Sequence, residues 1–152
     1  MRHAFRATKV VIALGVVLAF SLLATAQPAS ASVTDRGYMV HLTNADRERH
    51  DVDDLKIDRL LCEYAERHSR EMASAGSLFH STDDQLRAAL GSRRWVIAGE
   101  NVGVGTDLPA LERAFMASPP HRENVLRTTY VHAAVGVVTR GNRVWVTVIF
   151  WG

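Results

Sequence analysis

The chain has 152 residues, with 18 Lys and Arg against 16 Asp and Glu. Three of the basic residues and none of the acidic ones fall in the first 31 positions, so residues 32–152 carry 15 basic against 16 acidic groups. That balance excludes the strong positive field that nucleic acid or an anionic membrane surface calls for, and a single cysteine excludes an intramolecular disulfide.

The N-terminal segment reads as a secretory signal. Arg2, Arg6 and Lys9 precede an apolar run from Val10 to Ala24, short of the ~20 residues a membrane span needs. Ala29-Ser30-Ala31 offers an A-x-A cleavage site, with Ala24-Thr25-Ala26 as a second one, so Ser32 is the expected mature N-terminus. Residues 32–152 then suit one compact exported domain, expected to be monomeric.

From Tyr38 to about His50 the chain is polar and helix-compatible. Leu61, Ala65, His68, Met72 and Ala75 recur at the i, i+4, i+7 spacing of an amphipathic helix, predicted from near Asp58 to a stop at Gly76. His68 and Cys62 lie in this segment and read as core residues. A short helix is predicted over Asp83–Leu90, with Gly91 as its stop, and a strand over Trp95–Ala98. Asp107 as N-cap and Pro109 in the first turn open a further helix with Leu108, Leu111 and Phe115 on one face, ended by Ser118-Pro119-Pro120. His121 to Leu126 adds a turn. The valine-rich run from Val131 to Phe150, broken by Gly141-Asn142, reads as two strands and a tight turn. Helices first and paired strands last predict an α+β domain around an antiparallel sheet.

Glu100, in the stretch AGENVGVG, is a carboxylate among small and apolar residues, which is costly unless something pairs with it. His80 and His121 also sit at element ends, where functional side chains tend to be displayed, but spacing alone leaves open whether the three share a site. Gly99, Gly103 and Gly105 allow tight turns or close backbone approach. His41, His50 and His132 read as solvated or at the sheet margin, and Trp95, Trp145 and Trp151 as core, with one of them able to line a cleft. Asn101 and Asn124 either bond local backbone or touch the cleft. Arg47 and Arg122 are either solvated or brace the domain through carboxylate pairs.

Five stretches in order, LTNADRER, LCEYAERHSREMASAGSLFHS, AGENVGVG, AFMASPPHRENVL and the closing GVV…VWVTVIFWG, resemble the CAP superfamily of cysteine-rich secretory, antigen 5 and pathogenesis-related 1 proteins, in its short secreted bacterial form. The resemblance implies a three-layer α-β-α sandwich with a cleft lined by a His-Glu-Glu-His tetrad, whose histidines can hold a divalent metal such as zinc or magnesium. Carried over by motif, His80 matches the first histidine, Glu100 the glutamate of the G-E-N motif and His121 the second histidine. Phe115 stands for the family's tryptophan and Ser118 for its second glutamate, a serine common in bacterial relatives. Glu100 is then expected to accept hydrogen bonds from protonated or metal-oriented imidazoles of His80 and His121, with Asn101 and Ser118 completing the cleft. The missing carboxylate and the absence of a G-x-S-x-G nucleophile motif favour a non-catalytic binding module for a small, lipid-like or cell-envelope ligand. The alternative is a metal-dependent hydrolase with Glu100 as general base.

Overall fold

The computed structural model describes residues 29–30 and 33–152. The expected signal segment therefore lies almost wholly outside the described residues; only Ala29–Ser30 of it is described, as the two-residue strand β1.

Helix α1, Val33–Glu48, starts earlier than its polar sequence suggests. The short strand β2, Lys56–Ile57, follows. The stripe helix, α2, spans Cys62–Ala75 and stops at Gly76 in the left-handed conformation. It begins later than predicted, though Asp58 still caps the turn that leads into it: its carboxylate accepts from the Leu61 amide and its carbonyl from the Cys62 amide, each at 3.1 Å, while Arg93 pairs with the carboxylate. Helix α3 occupies Asp83–Leu90 as expected, held by a capping box in which Thr82 and Gln85 bond each other's backbone amides.

The strand before the second half of the chain is β3, Ala98–Gly105, not Trp95–Ala98. Helix α4, Leu108–Ala117, has Asp107 as N-cap, accepting from the Ala110 amide at 2.7 Å. Helix α5, Pro119–Leu126, begins at the prolines, which suit a first turn because they lack the amide that would go unpaired there. The hairpin is β4, His132–Arg140, and β5, Arg143–Trp151, turned at Gly141 with φ 61°.

The sheet runs β1-β4-β5-β3, antiparallel throughout this path, with β2 parallel to one end of β4. Pleat alternation divides its side chains cleanly. Val135, Val137, Val146, Val148 and Phe150 pack with Met39 of α1, Leu111 and Phe115 of α4 and Val125 of α5. Ala134, Ile149 and Trp151 pack with Cys62 and Ala65 of α2 and Leu90 of α3, while Val138 and Trp145 meet Met72. The result is an α-β-α sandwich. Cys62 is buried, its thiol pushed up in pKa by desolvation, as a core residue should be.

Helix α2 lies against β4 so closely that a Cβ at Gly136 would overlap the Ala65 carbonyl group. Beside it, Ser69 Oγ lies 3.1 Å from the Gly136 carbonyl and 2.9 Å from Thr147 Oγ1. Gly136→Ala must push the helix off the sheet, and we expect it to cost about 2–3 kcal/mol in denaturant unfolding. A loss below about 0.5 kcal/mol would show that α2 has room to move.

Candidate functional site

Strand β3 is the edge of the sheet, so the two helical layers both reach round to its free side. Glu100 stands opposite Ile149 and faces α2, as does Val102, which packs with Met72 and Trp145. Asn101 and Gly103 face the other way, toward α5 and α4; a Cβ at Gly103 would strike Leu111 and Phe115 at 2.8 and 3.0 Å. The glycines thus serve close packing rather than turns. Where the layers meet, a groove of about 250 Å3 is lined by Leu78, Val102, Leu111, Phe115, Ser118 and His121.

Glu100 precedes Val102 by two residues on the same face of β3 and is not itself among the residues that line the groove; its side chain is only 5% exposed. Three donors converge on its two oxygens: His80 Nδ1 and the Ser81 amide, each 2.9 Å from Oε1, and Ser81 Oγ, 2.7 Å from Oε2. Tyr64 donates to Ser81 Oγ at 2.9 Å, so the hydroxyls form a relay from α2 to the carboxylate. Buried His68 lies behind, with Nε2 2.9 Å from the Phe79 carbonyl and 3.9 Å from Glu100 Oε1, and its ring stacks on Tyr64. His68 is a satisfied core histidine, yet one that abuts the site. Neither Ser81 nor Tyr64 stood out in the sequence. The signal for Ser81 is its place directly after His80, and Tyr64 sits four residues before His68 on the same helical face.

His121 belongs to the opposite layer. Its imidazole meets the Phe115 ring edge-on at 5.2 Å. Its pKa is lowered by burial first and then by the charge of His80, so the neutral ring is favoured. The expected hydrogen bond from His121 to Glu100 is not formed, because successive residues of a strand face opposite ways and α5 is tied to Asn101 instead. Asn101 is fully buried, donates to the His121 carbonyl at 3.0 Å and accepts from Asn124 at 2.9 Å. Asn124 also reaches the Glu100 carbonyl at 3.3 Å. Asn101 is therefore a bolt between β3 and α5, not part of the groove lining. Ser118 does line it, and its hydroxyl caps neither adjoining helix end.

Among the described residues no three His, Cys, Asp or Glu side chains converge as metal ligands. Two histidines remain: His80, whose Nδ1 is committed to Glu100 and which does not itself line the groove, and His121, which does. Of the remaining sequence readings, Arg47 braces the fold, though through carbonyls rather than carboxylates; Arg122 is exposed and meets His50 at 3.0 Å. Trp145 and Trp151 are buried, and no tryptophan lines the groove.

The fold and sequence have clear relatives. YkwD, an uncharacterised protein of Bacillus subtilis strain 168, is 30% identical over 128 residues, 80% of this chain and 48% of its own length. An extracellular SCP-domain protein from Bacillus anthracis shares 25% identity with a TM-score of 0.65, over 78% of this chain and 40% of that one. This chain thus spans less than half the length of either. An outer surface protein of Borrelia burgdorferi superposes with a TM-score of 0.70 at 16% identity, covering 82% and 97% of the two chains. NaASP2, solved with Zn2+, shares the fold at 14% identity and a TM-score of 0.55, over 78% and 80%. No helix among the described residues is long and apolar enough to cross a membrane. The model of the cysteine-rich secretory protein family, CAP, matches residues 40–150, and the chain belongs to that family, which includes extracellular proteins.

Proposed function

We propose that the domain is an exported, non-catalytic binding module whose groove along β3 takes a divalent metal together with a small, lipid-like or cell-envelope ligand. The observation that carries this reading is the engagement of Glu100, whose roughly four lone-pair positions already receive three donors. A general base needs a lone pair directed at a water or substrate proton, and here both oxygens are engaged by three donors on a side chain 5% exposed. The same geometry makes Glu100 an orienting group. By holding His80 Nδ1 it leaves Nε2 as the ring's available donor atom, the usual division of labour between a ligating histidine and its carboxylate.

The groove itself is mostly apolar, with Ser118 and His121 as its polar points, a composition suited to a ligand with a hydrocarbon part. A metal would be held by His80 and His121 with its other positions filled by water or ligand, and its contribution would be to polarise a bound ligand oxygen. The depressed pKa of His121 favours the neutral form that such a bond requires. The zinc in NaASP2 supports looking for that ion first.

Calorimetric titration of residues 32–152 with zinc and with magnesium is the test. We expect one-site zinc binding, lost in His121→Ala and weakened by roughly 10–100-fold in Glu100→Gln, which keeps the shape but weakens the orienting bond to His80. Absence of heat with either ion would remove the metal from this reading. Hydrolytic activity abolished by Glu100→Gln would replace the reading with the hydrolase alternative.

A further inference from the structure

A second group of side chains, at the end of the sheet where Ala98 of β3, Trp151 of β5, His132 of β4 and Lys56 of β2 stand side by side, does not line the β3 groove. Strand pairing sets Trp151 and Lys56 on either side of His132. The Trp151 and His132 rings stack at 3.9 Å with 10° between their planes. They form part of a groove of about 680 Å3, whose other walls include Ile57, Leu60, Arg59 and the Asp58–Arg93 pair. That size falls within the range of small-molecule sites.

The hydrogen-bonding balance of this groove is one-sided. Asp58, its carboxylate, is used up: Arg93 Nε and Nη2 donate to its two oxygens at 2.5 and 3.2 Å, and the Leu61 amide adds a third bond at 3.1 Å. The Gly152 carbonyl nearby accepts from the Val96 and Ile97 amides. The donors, by contrast, are left over. Arg59 is exposed and makes no hydrogen bond or ion pair among the described residues. Trp151 is 9% exposed, and its Nε1, which can only donate, has no partner among the described residues; nor has the buried His132 Nδ1, which donates when it carries the ring's proton. Unpaired buried polar atoms in native proteins call for an explanation, because each forfeits about 1–3 kcal/mol.

We propose that this groove is a second binding site, for a small ligand that joins an oxyanion, carboxylate or phosphate, to an apolar body. Arg59 supplies the fork that suits a planar or tetrahedral oxyanion. Leu60, 79% exposed, and Ile57 supply apolar cover for the rest of the ligand. Both ring nitrogens are shielded in the stacked arrangement, so the ligand meets Arg59 first and reaches the indole donor, and His132 Nδ1 where that nitrogen carries the proton, only if the pair tilts.

The test uses benzoate and phenyl phosphate as probes, with benzyl alcohol as the uncharged control, followed by NMR of the tryptophan indole N–H signals, with that of Trp151 assigned from Trp151→Phe. The expected result is a saturable shift of the Trp151 signal with at least one oxyanion, and roughly tenfold weaker binding in Arg59→Gln, whose exposed position leaves the fold intact. Benzoate alone producing it identifies a carboxylate site and phenyl phosphate a phosphate site, either of which supports the proposal. An equal response to benzyl alcohol, no response of Trp151 to either anion, or an Arg59→Gln variant that binds as well as the parent would overturn it. His121→Ala, which disables the β3 groove, is expected to leave this titration unchanged; loss of binding in that variant would place the probes there and refute a separate site.

Discussion

Glu112→Gln raises the unfolding free energy by about 2–3 kcal/mol near pH 8 and by little near pH 4. Glu112 lies on α4 facing α1 and is 3% exposed. Thr43 donates to its Oε2 at 3.1 Å, and Oε1 has no partner among the described residues. Burial pushes its pKa up from 4.5 to about 7; the Thr43 hydrogen bond opposes the rise, Asp46 adds to it and Arg49 opposes it. The sign follows from the proton count. Between the unfolded value of 4.5 and the folded value of about 7 the folded protein keeps a proton that the unfolded chain has released. Stability therefore falls as pH rises through that window and stays low above it, by about 3 kcal/mol in full. Glutamine keeps an acceptor for Thr43 without the titration, so the difference between variant and parent should grow from about pH 4 to about pH 8. Urea unfolding at the two ends measures it. A difference that does not grow with pH would sink this account of Glu112.

Arg47→Met is expected to cost about 3–5 kcal/mol, the scale of breaking a buried charged hydrogen-bond cluster. Arg47 sits in the last turn of α1 and is wholly buried. Its guanidinium donates to four carbonyls: Asp53 at 2.6 Å, Val125 at 2.7 Å, Arg127 at 3.1 Å and Tyr130 at 3.0 Å. The Val125 carbonyl belongs to the last turn of α5, which has no later amide of the helix to bond it. Desolvation lowers the Arg47 pKa, with Asp53 and Asp54 compensating in part. Methionine fills the space but leaves several carbonyls without donors, each costing about 1–3 kcal/mol. The segment from Val125 to Tyr130 carries α5 into β4, so His121 should loosen with it. Unfolding in urea gives the stability loss, and a value under about 1 kcal/mol would mean that water replaces the guanidinium at little cost.

Local signals account for what the sequence disclosed. Asp107 with Pro109, the stripe from Leu61 to Ala75 and Gly141-Asn142 each specify their element through neighbours a few residues away. Strand β3 lacks such a signal. Three glycines and a glutamate are poor strand formers, and the stretch is extended because β5 pairs with every residue from Ala98 to Gly105. The site was legible in part for the same reason. His80 beside Glu100 and Ser118 beside His121 were found by motif, whereas the Ser81 and Tyr64 hydroxyls and the carbonyl clasp of Arg47 depend on long-range placement. The His121–Glu100 bond, expected for a protonated or metal-oriented imidazole, is not formed here, its two ends lying on different layers.

The pleat of β3 also limits how this protein can be altered. Glu100 and Asn101 are consecutive yet serve different helical layers, so a single-residue deletion upstream within the strand would move Asn101 into the place of Glu100 and turn Glu100 to the opposite face. The amide would then stand before His80 and Ser81, and the carboxylate before the buried backbone of α5. The ties of β3 to both helical layers would be lost in one codon. Changes of length are tolerable here only in pairs, or beyond Gly105, which makes β3 a segment to be redesigned by substitution and never by splicing.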